Sequence, residues 1–165
     1  MADFELAIKK ILSLEGGYSY DSQDYGGETK YGISKRQYPE INIKNLTIEQ
    51  VKAIYKRDYW DKLRLDETRN QKIAEEILDI SINCGWQTAG KFVQEAINLL
   101  VTFQPLKVDG LIGEKTLMAV NSYSYPEAVV KTLNGIQFEY YRKIVTRDSS
   151  QQKWFRGWLA RVEFA

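Results

Sequence analysis

Residues 73–82, Ile-Ala-Glu-Glu-Ile-Leu-Asp-Ile-Ser-Ile, are apolar almost all round a helical wheel, interrupted only by Glu75, Glu76, Asp79 and Ser81. A helix with so little polar surface runs through the middle of a domain and is covered on most sides. Asn83-Cys84-Gly85 closes it, and a second helix begins at Gln87 or Thr88, carrying Ala89, Phe92, Val93, Ala96, Ile97 and Leu100 at helical spacing. So short a link predicts two antiparallel helices packed on each other.

The flanking sequence supplies further helices. Phe4, Ala7, Ile8, Ile11 and Leu12 recur at i, i+3, i+4, i+7 and i+8, with Asp3 as N-cap and Gly16-Gly17 as the stop. Ser34-x-x-Gln37 and Thr47-x-x-Gln50 both read as capping boxes. The second opens a helix with Val51, Ile54, Tyr55 and Tyr59 on one side, ending near Tyr59-Trp60-Asp61; Leu63 to Asn70 reads as a charged connector. Leu106 to Gly113 is a turn-rich insert ahead of a short helix near Glu114–Asn121. Ser124-x-Pro126-Glu127 caps a long helix carrying Val129, Leu133, Ile136, Tyr140 and Ile144. Asp148-Ser149-Ser150 breaks it, and Trp154 to Val162 forms a last aromatic helix. Trp60, Trp154 and Trp158 read as core side chains first and ligand platforms second. No internal repeat or low-complexity linker divides the chain, so residues 1–165 read as one helical domain.

Composition removes several kinds of chemistry. With 23 Lys+Arg against 22 Asp+Glu there is no field to steer nucleic acid or an anionic bilayer. The absence of His excludes Ser-His-Asp and Cys-His catalysis and His-based zinc sites. Cys84 is the single cysteine, so no internal disulfide forms, and its apolar surroundings predict a reduced, buried thiol. No run approaches the ~20 apolar residues of a membrane span. Met1-Ala2-Asp3-Phe4-Glu5 lacks a basic region followed by an apolar core, so no signal peptide is visible.

One stretch departs from the helical pattern. From Glu15 to Ile33, nineteen residues hold four acids (Glu15, Asp21, Asp24, Glu28), five glycines, four tyrosines and Thr29. Too rich in glycine for a helix, it reads as a loop with a short irregular hairpin. Carboxylates, a hydroxyl and aromatic faces at the mouth of a helix are what sugar-cleaving chemistry needs. Glu15 stands at the C-terminal end of the first helix, where exposed carbonyls disfavour a carboxylate and, with burial, hold its proton on. That suits a general acid. Asp24 and Thr29 are the candidates for holding a water, with Asp21 as the alternate carboxylate. Each has a blander reading: Glu15 as a solvated helix end, Asp21 and Asp24 as turn formers bonded to their own backbone. Tyr18 and Tyr31 either pack the loop onto the core or meet a sugar, and Asn83 either caps a turn or contacts substrate. Asp21 and Asp24 lack the rest of a calcium loop, so no metal is expected.

Glu15-Gly-Gly-Tyr, Asp21, Asp24, Gly26-Gly27, Thr29 and Gly32-Ile33 resemble the N-terminal motif of glycoside hydrolase family 108, the N-acetylmuramidases found as phage endolysins and bacterial secretion activator proteins. The resemblance continues through Tyr59-Trp60-Asp61, Asp79…Asn83-x-Gly85 and Val108-Asp-Gly-Leu-Ile-Gly113 with Lys115-Thr116. It ends at Phe155-x-Gly-Trp158-Leu-x-Arg161-Val162, covering essentially the full chain. It implies that Glu15 is the essential catalytic residue. Glu15, Asp24 and Thr29 also resemble the Glu/Asp/Thr triad of phage-type lysozymes, with Thr29 one residue earlier than in that pattern. Lys30 stands where the family motif has Asn.

The expected fold is a mainly α, lysozyme-like single domain with one irregular Gly-rich loop or short hairpin. Residues 1–88 are expected to form the catalytic part, and 89–165 a helical part resembling a peptidoglycan-binding region. The expected activity is hydrolysis of the β-1,4 bond between N-acetylmuramic acid and N-acetylglucosamine. Glu15, Asp24 and Thr29 are its catalytic residues, Tyr18, Asp21, Tyr31 and Asn83 contact substrate, and no cofactor or metal takes part. The partners are peptidoglycan glycan strands, without nucleic acid or stable membrane insertion. A monomer made in the cytoplasm would reach the wall through a holin or an export system. Two other readings stay open: a lytic transglycosylase using the same Glu15, and a catalytically silent wall-binding or secretion-assisting protein.

Overall fold

A computed structural model describes residues 1–14, 19–20, 27–102 and 104–162. Helix α1 (Phe4–Leu14) starts at Asp3, whose Oδ1 accepts from the N–H groups of Glu5 (2.7 Å) and Leu6 (3.3 Å). The expected N-cap is therefore in place. A three-stranded antiparallel sheet comes next: β1 (Ser19–Tyr20), β2 (Glu28–Lys30) and β3 (Ile33–Ser34), in the order β1-β2-β3. The irregular hairpin anticipated from the sequence thus carries a third strand.

The two capping-box signatures behave differently. Thr47 caps α2 (Ile48–Tyr55) reciprocally, its side chain accepting from Gln50 N–H while Gln50 Oε1 accepts from Thr47 N–H. Ser34 Oγ also accepts from Gln37 N–H (3.3 Å), but only one turn forms, closed by Tyr38 N–H to Ser34 O (3.1 Å). Pro39 comes at once, and the residue before a proline is driven out of the α region, so no helix grows from that box. Past Tyr55 the α2 helix widens into a π-helical turn, Lys56–Trp60, which buries Tyr59 and Trp60. Trp60 is fully enclosed; its indole N–H donates to Asp66 Oδ1 (2.6 Å) and its ring meets Phe4 edge-on at 5.4 Å. The expected charged connector, 63–70, is more than a connector: Leu63 and Leu65 are buried core residues on either side of Arg64.

The central pair is α3 (Gln71–Cys84) and α4 (Trp86–Leu100), packed against each other and separated by the single residue Gly85. Gly85 has φ 87°, a left-handed conformation that lets one residue end one helix and begin the next. Asn70 caps α3 through Ile73 N–H (3.1 Å). The α4 helix starts at Trp86, one residue earlier than expected, and buries Ala89, Phe92, Val93, Ala96 and Ile97, as its spacing predicts. Around this pair pack α1, the π-helical turn, α5 (Glu114–Ser122) and the long α6 (Pro126–Arg147).

The start of α6 differs from expectation. Ser124 does not cap it; Tyr125 occupies the cap position without a side-chain bond, and Pro126 at the first turn supplies the preset φ. Its buried face follows the apolar stripe through Val129 and Leu133 and then departs from it: Asn134, Gln137 and Tyr141 are enclosed, whereas Ile136, Tyr140 and Ile144 are half-buried. After Asp148, whose side chain accepts from Ser150 N–H (3.0 Å), a short 3-10 turn leads into α7 (Gln152–Leu159). This last helix buries no residue fully. Trp154 is 40% exposed rather than core, and Trp158 stacks on Tyr141 at 5.2 Å. The result is a mainly α architecture with seven α-helices among the described residues and one small sheet beside α1 in sequence.

Candidate active site

Strands β2 and β3 are joined by the two-residue turn Tyr31-Gly32, with Lys30 opposite Ile33. Both turn residues have positive φ (50° and 75°), the signature of a type I′ hairpin, whose twist matches its strands. Tyr31 is a bulky residue in the left-handed region, a conformation that persists only when its surroundings impose it. They do. The Tyr55 hydroxyl donates to Tyr31 O (2.6 Å) from the core, and the Lys30 ammonium donates to Lys44 O (3.1 Å) and Leu46 O (2.9 Å). The turn is thus clamped to α2 on one side and to the 43–47 segment on the other. Lys30 holds the loop rather than reaching outward.

Thr29 lies in the middle strand, paired with Ser19 of β1 and Ser34 of β3. It is half-buried, and its hydroxyl has no hydrogen-bond partner among the described residues. A half-buried hydroxyl on a fixed strand is available to a water or a ligand. Tyr31 is packed partly against the core, with the Lys30 ammonium 5.6 Å from its ring centroid.

Asn83 is exposed near the end of α3 and donates through Nδ2 to Asp79 O (2.8 Å) and, more distantly, Asp79 Oδ2 (3.4 Å). The back-bond to the preceding turn is the capping role, and it leaves Oδ1 open to solvent. Asp79 in turn accepts from Arg161 (2.7 Å), an ion pair whose side chains are only 13% and 17% exposed. The end of α3 is therefore linked to the segment after α7 through one carboxylate. Thr29 and Tyr31 share the hairpin; Asn83 belongs to a different element, with no hydrogen bond to that hairpin among the described residues. Glu15, Tyr18, Asp21 and Asp24 lie outside the described residues.

Residue patterns carry no sign of the supporting contacts. Tyr38 donates to Asp58 Oδ2 (2.9 Å), and Arg57 makes a bidentate pair with the same carboxylate (2.8 and 2.6 Å). The Arg57 bonds hold the Asp58 carboxyl below its usual range against the opposing effect of burial, while burial, the neighbouring Tyr59 and Asp58 push the Tyr38 phenol far up. Among the described residues no group of three His, Cys, Asp or Glu is placed to hold a metal ion.

Comparison with known proteins places this arrangement. Residues 8–85 match the family Glycosyl hydrolase 108, and residues 88–163 match the family described as Predicted Peptidoglycan domain. The solved structure of Brucella abortus SagA is similar over 96% of this chain and 88% of that one, with a TM-score of 0.79 and 26% identity. No curated protein sequence matches. The architecture is thus lysozyme-like and mainly α, and peptidoglycan is the substrate of a glycoside hydrolase of this kind. Among the described residues no helix is long and apolar enough to cross a membrane. Residues 8–85 thus belong with glycosyl hydrolase family 108, and residues 88–163 with the family described as Predicted Peptidoglycan domain.

Proposed function

We propose that this protein is an N-acetylmuramidase that hydrolyses the β-1,4 bond between N-acetylmuramic acid and N-acetylglucosamine in peptidoglycan. Glu15 gives its proton to the glycosidic oxygen as the bond from C1 breaks. Asp24, with the Thr29 hydroxyl, holds the water that attacks C1 and takes up its proton. Asp21, Tyr18, Tyr31 and Asn83 form contacts to the sugars. The observation that supports this most is the family match over residues 8–85, a span that contains Glu15, Asp24 and Thr29. The clamped hairpin adds to it, since it holds a Thr29 hydroxyl, unpartnered among the described residues, on a fixed strand. No cofactor enters this chemistry. In this reading residues 1–88 carry catalysis and 89–165 hold the wall polymer, within one domain. The protein acts as a monomer and reaches its substrate through a holin or an export system.

The test is digestion of purified peptidoglycan by the wild type and by Glu15→Gln, with mass analysis of the products. Fragments with reducing muramic acid ends from the wild type alone are expected. Anhydro ends, lacking the added water, would make the enzyme a lytic transglycosylase with Asp24 and Thr29 accessory. Undiminished digestion by Glu15→Gln would remove Glu15 from the chemistry. No fragments from either folded protein would leave a wall-binding role.

A further inference from the structure

A groove of about 830 Å³ lies between the 104–113 segment and α5, within the span that matches the peptidoglycan domain. Its wall is built rather than incidental. Gln94, buried on α4, accepts from the N–H groups of Asp109 (2.9 Å) and Gly110 (2.8 Å) and donates to Asp109 Oδ1 (3.0 Å) and Leu111 O (2.9 Å). One turn further along α4, Asn98 makes a matching pair of bonds to the N–H and carbonyl of Leu106 (2.6 and 2.8 Å). Two side-chain amides thus act as a strand edge for the loop and fix its outer surface. On that surface Leu111 (59% exposed) and Met118 (69% exposed) present apolar groups to solvent.

The charges of the groove are mostly spoken for. Asp109 accepts from Leu111 N–H and Gln94, which hold its carboxyl below the ordinary range, and Lys107 stands 3.7 Å away. Glu114 accepts from Arg64 (2.6 Å). Lys115 is exposed and has no ion-pair partner among the described residues. What the groove presents most openly to a ligand is the apolar surface of Leu111, Met118 and Pro105 and one unpaired cation. The described lining residues include no aromatic ring on which a sugar could stack.

We infer that this groove, given peptidoglycan as the substrate on which the reading rests, binds the stem peptide rather than the glycan strand. In intact wall polymer the muramic acid carboxyl is consumed in the amide bond to the peptide, so free carboxylates are carried by the stem. These are the α-carboxylate of a γ-linked glutamate and the terminal carboxylate. Lys115 pairs with one of them, and the alanine methyl groups lie against Leu111 and Met118. An unpaired lysine beside thioether and branched aliphatic chains offers a neutral sugar ring little by comparison.

The full chain, isotopically labelled, would be titrated with a free stem pentapeptide and separately with N-acetylglucosamine oligosaccharides, which carry no carboxylate, tracking amide signals. Saturable shifts at Leu111, Lys115 and Met118 with the peptide alone are expected. Lys115→Glu should weaken that binding at least tenfold, and Leu111→Asn about fivefold, with the fold unchanged because both side chains are on the surface. Glu15→Gln should bind the peptide as the wild type does, so loss of digestion in that variant leaves the groove untouched. Shifts at these residues from the neutral oligosaccharides but not the peptide, or peptide binding by Lys115→Glu equal to wild type, would overturn the assignment.

Discussion

Asp79 accepts from both Asn83 and Arg161, so a single carboxylate joins α3 to the end of the chain's helical body. Both members of the ion pair are largely withdrawn from water, so removing one takes a charge partner from a group that has little solvent to replace it. Arg161→Met is expected to lower stability by about 3 kcal/mol, with a double-mutant cycle against Asp79→Asn showing strong coupling in urea denaturation. Cys84 is the other residue with a definite expectation. Burial pushes its thiol up to about 11, with the Tyr141 hydroxyl 3.7 Å from Sγ. Cys84 is half-buried rather than fully enclosed, so folded protein should react with thiol reagents at pH 8 markedly more slowly than unfolded chain does. Stability inherits the same shift. The unfolded thiol ionises near ~8.5 while the folded one keeps its proton, so this group stabilises fully below that pH and its contribution is lost as pH rises towards 11. A pH series of denaturation midpoints between 8 and 11 would show the fall.

At the level of the element, the loop that forms the groove wall depends on a backbone contact no side chain could tolerate. A Cβ placed on Gly90 would lie 2.2 Å from Gly110 O, and one on Gly110 would lie 2.5 Å from Gln87 O. Gly90→Ala should force the loop off α4 and cost more than about 2 kcal/mol, read as a lowered denaturation midpoint. Gln94→Ala strands the Gly110 N–H and takes one of two hydrogen bonds from both the Asp109 N–H and the Leu111 carbonyl, and should cost about 2 kcal/mol. None of this was visible in the sequence, where Val108 to Gly113 shows only turn residues. Local signals did carry the elements that depend on local chemistry. Asp3, Thr47 and the α3–Gly85–α4 unit were legible because capping, periodicity and a left-handed glycine act within a few residues. Ser34 shows the limit, since an equally good box was cut short by Pro39. The α6 helix shows another: the later stripe positions Ile136, Tyr140 and Ile144 are less buried than Asn134 and Gln137, because packing against α3 and α4 decides which side is enclosed. At the site, sequence singled out Thr29 and Asn83, yet the clamp that holds the hairpin, Lys30 and Tyr55, joins residues distant along the chain.

Among the described residues a single hydrophobic cluster runs from Ala2 through α1, α2, α3 and α4 to Leu133 of α6. It crosses the boundary between the two family matches without a break. A chain cut after residue 88 keeps α3 but loses α4 and α6, exposing the apolar sides of Ile73, Ile77 and Ile80. Such a fragment is expected to show no cooperative thermal transition, while the full chain unfolds in one step by calorimetry. Gly85 has a consequence for inheritance as well. Because one residue separates α3 of the hydrolase segment from α4 of the peptidoglycan domain, and these facing helices share a core, the two cannot be exchanged by recombination as freely linked modules can. A crossover at that glycine would join an α3 surface to an α4 surface shaped for another partner. The two halves are therefore expected to travel together through descent, each constraining the substitutions the other accepts.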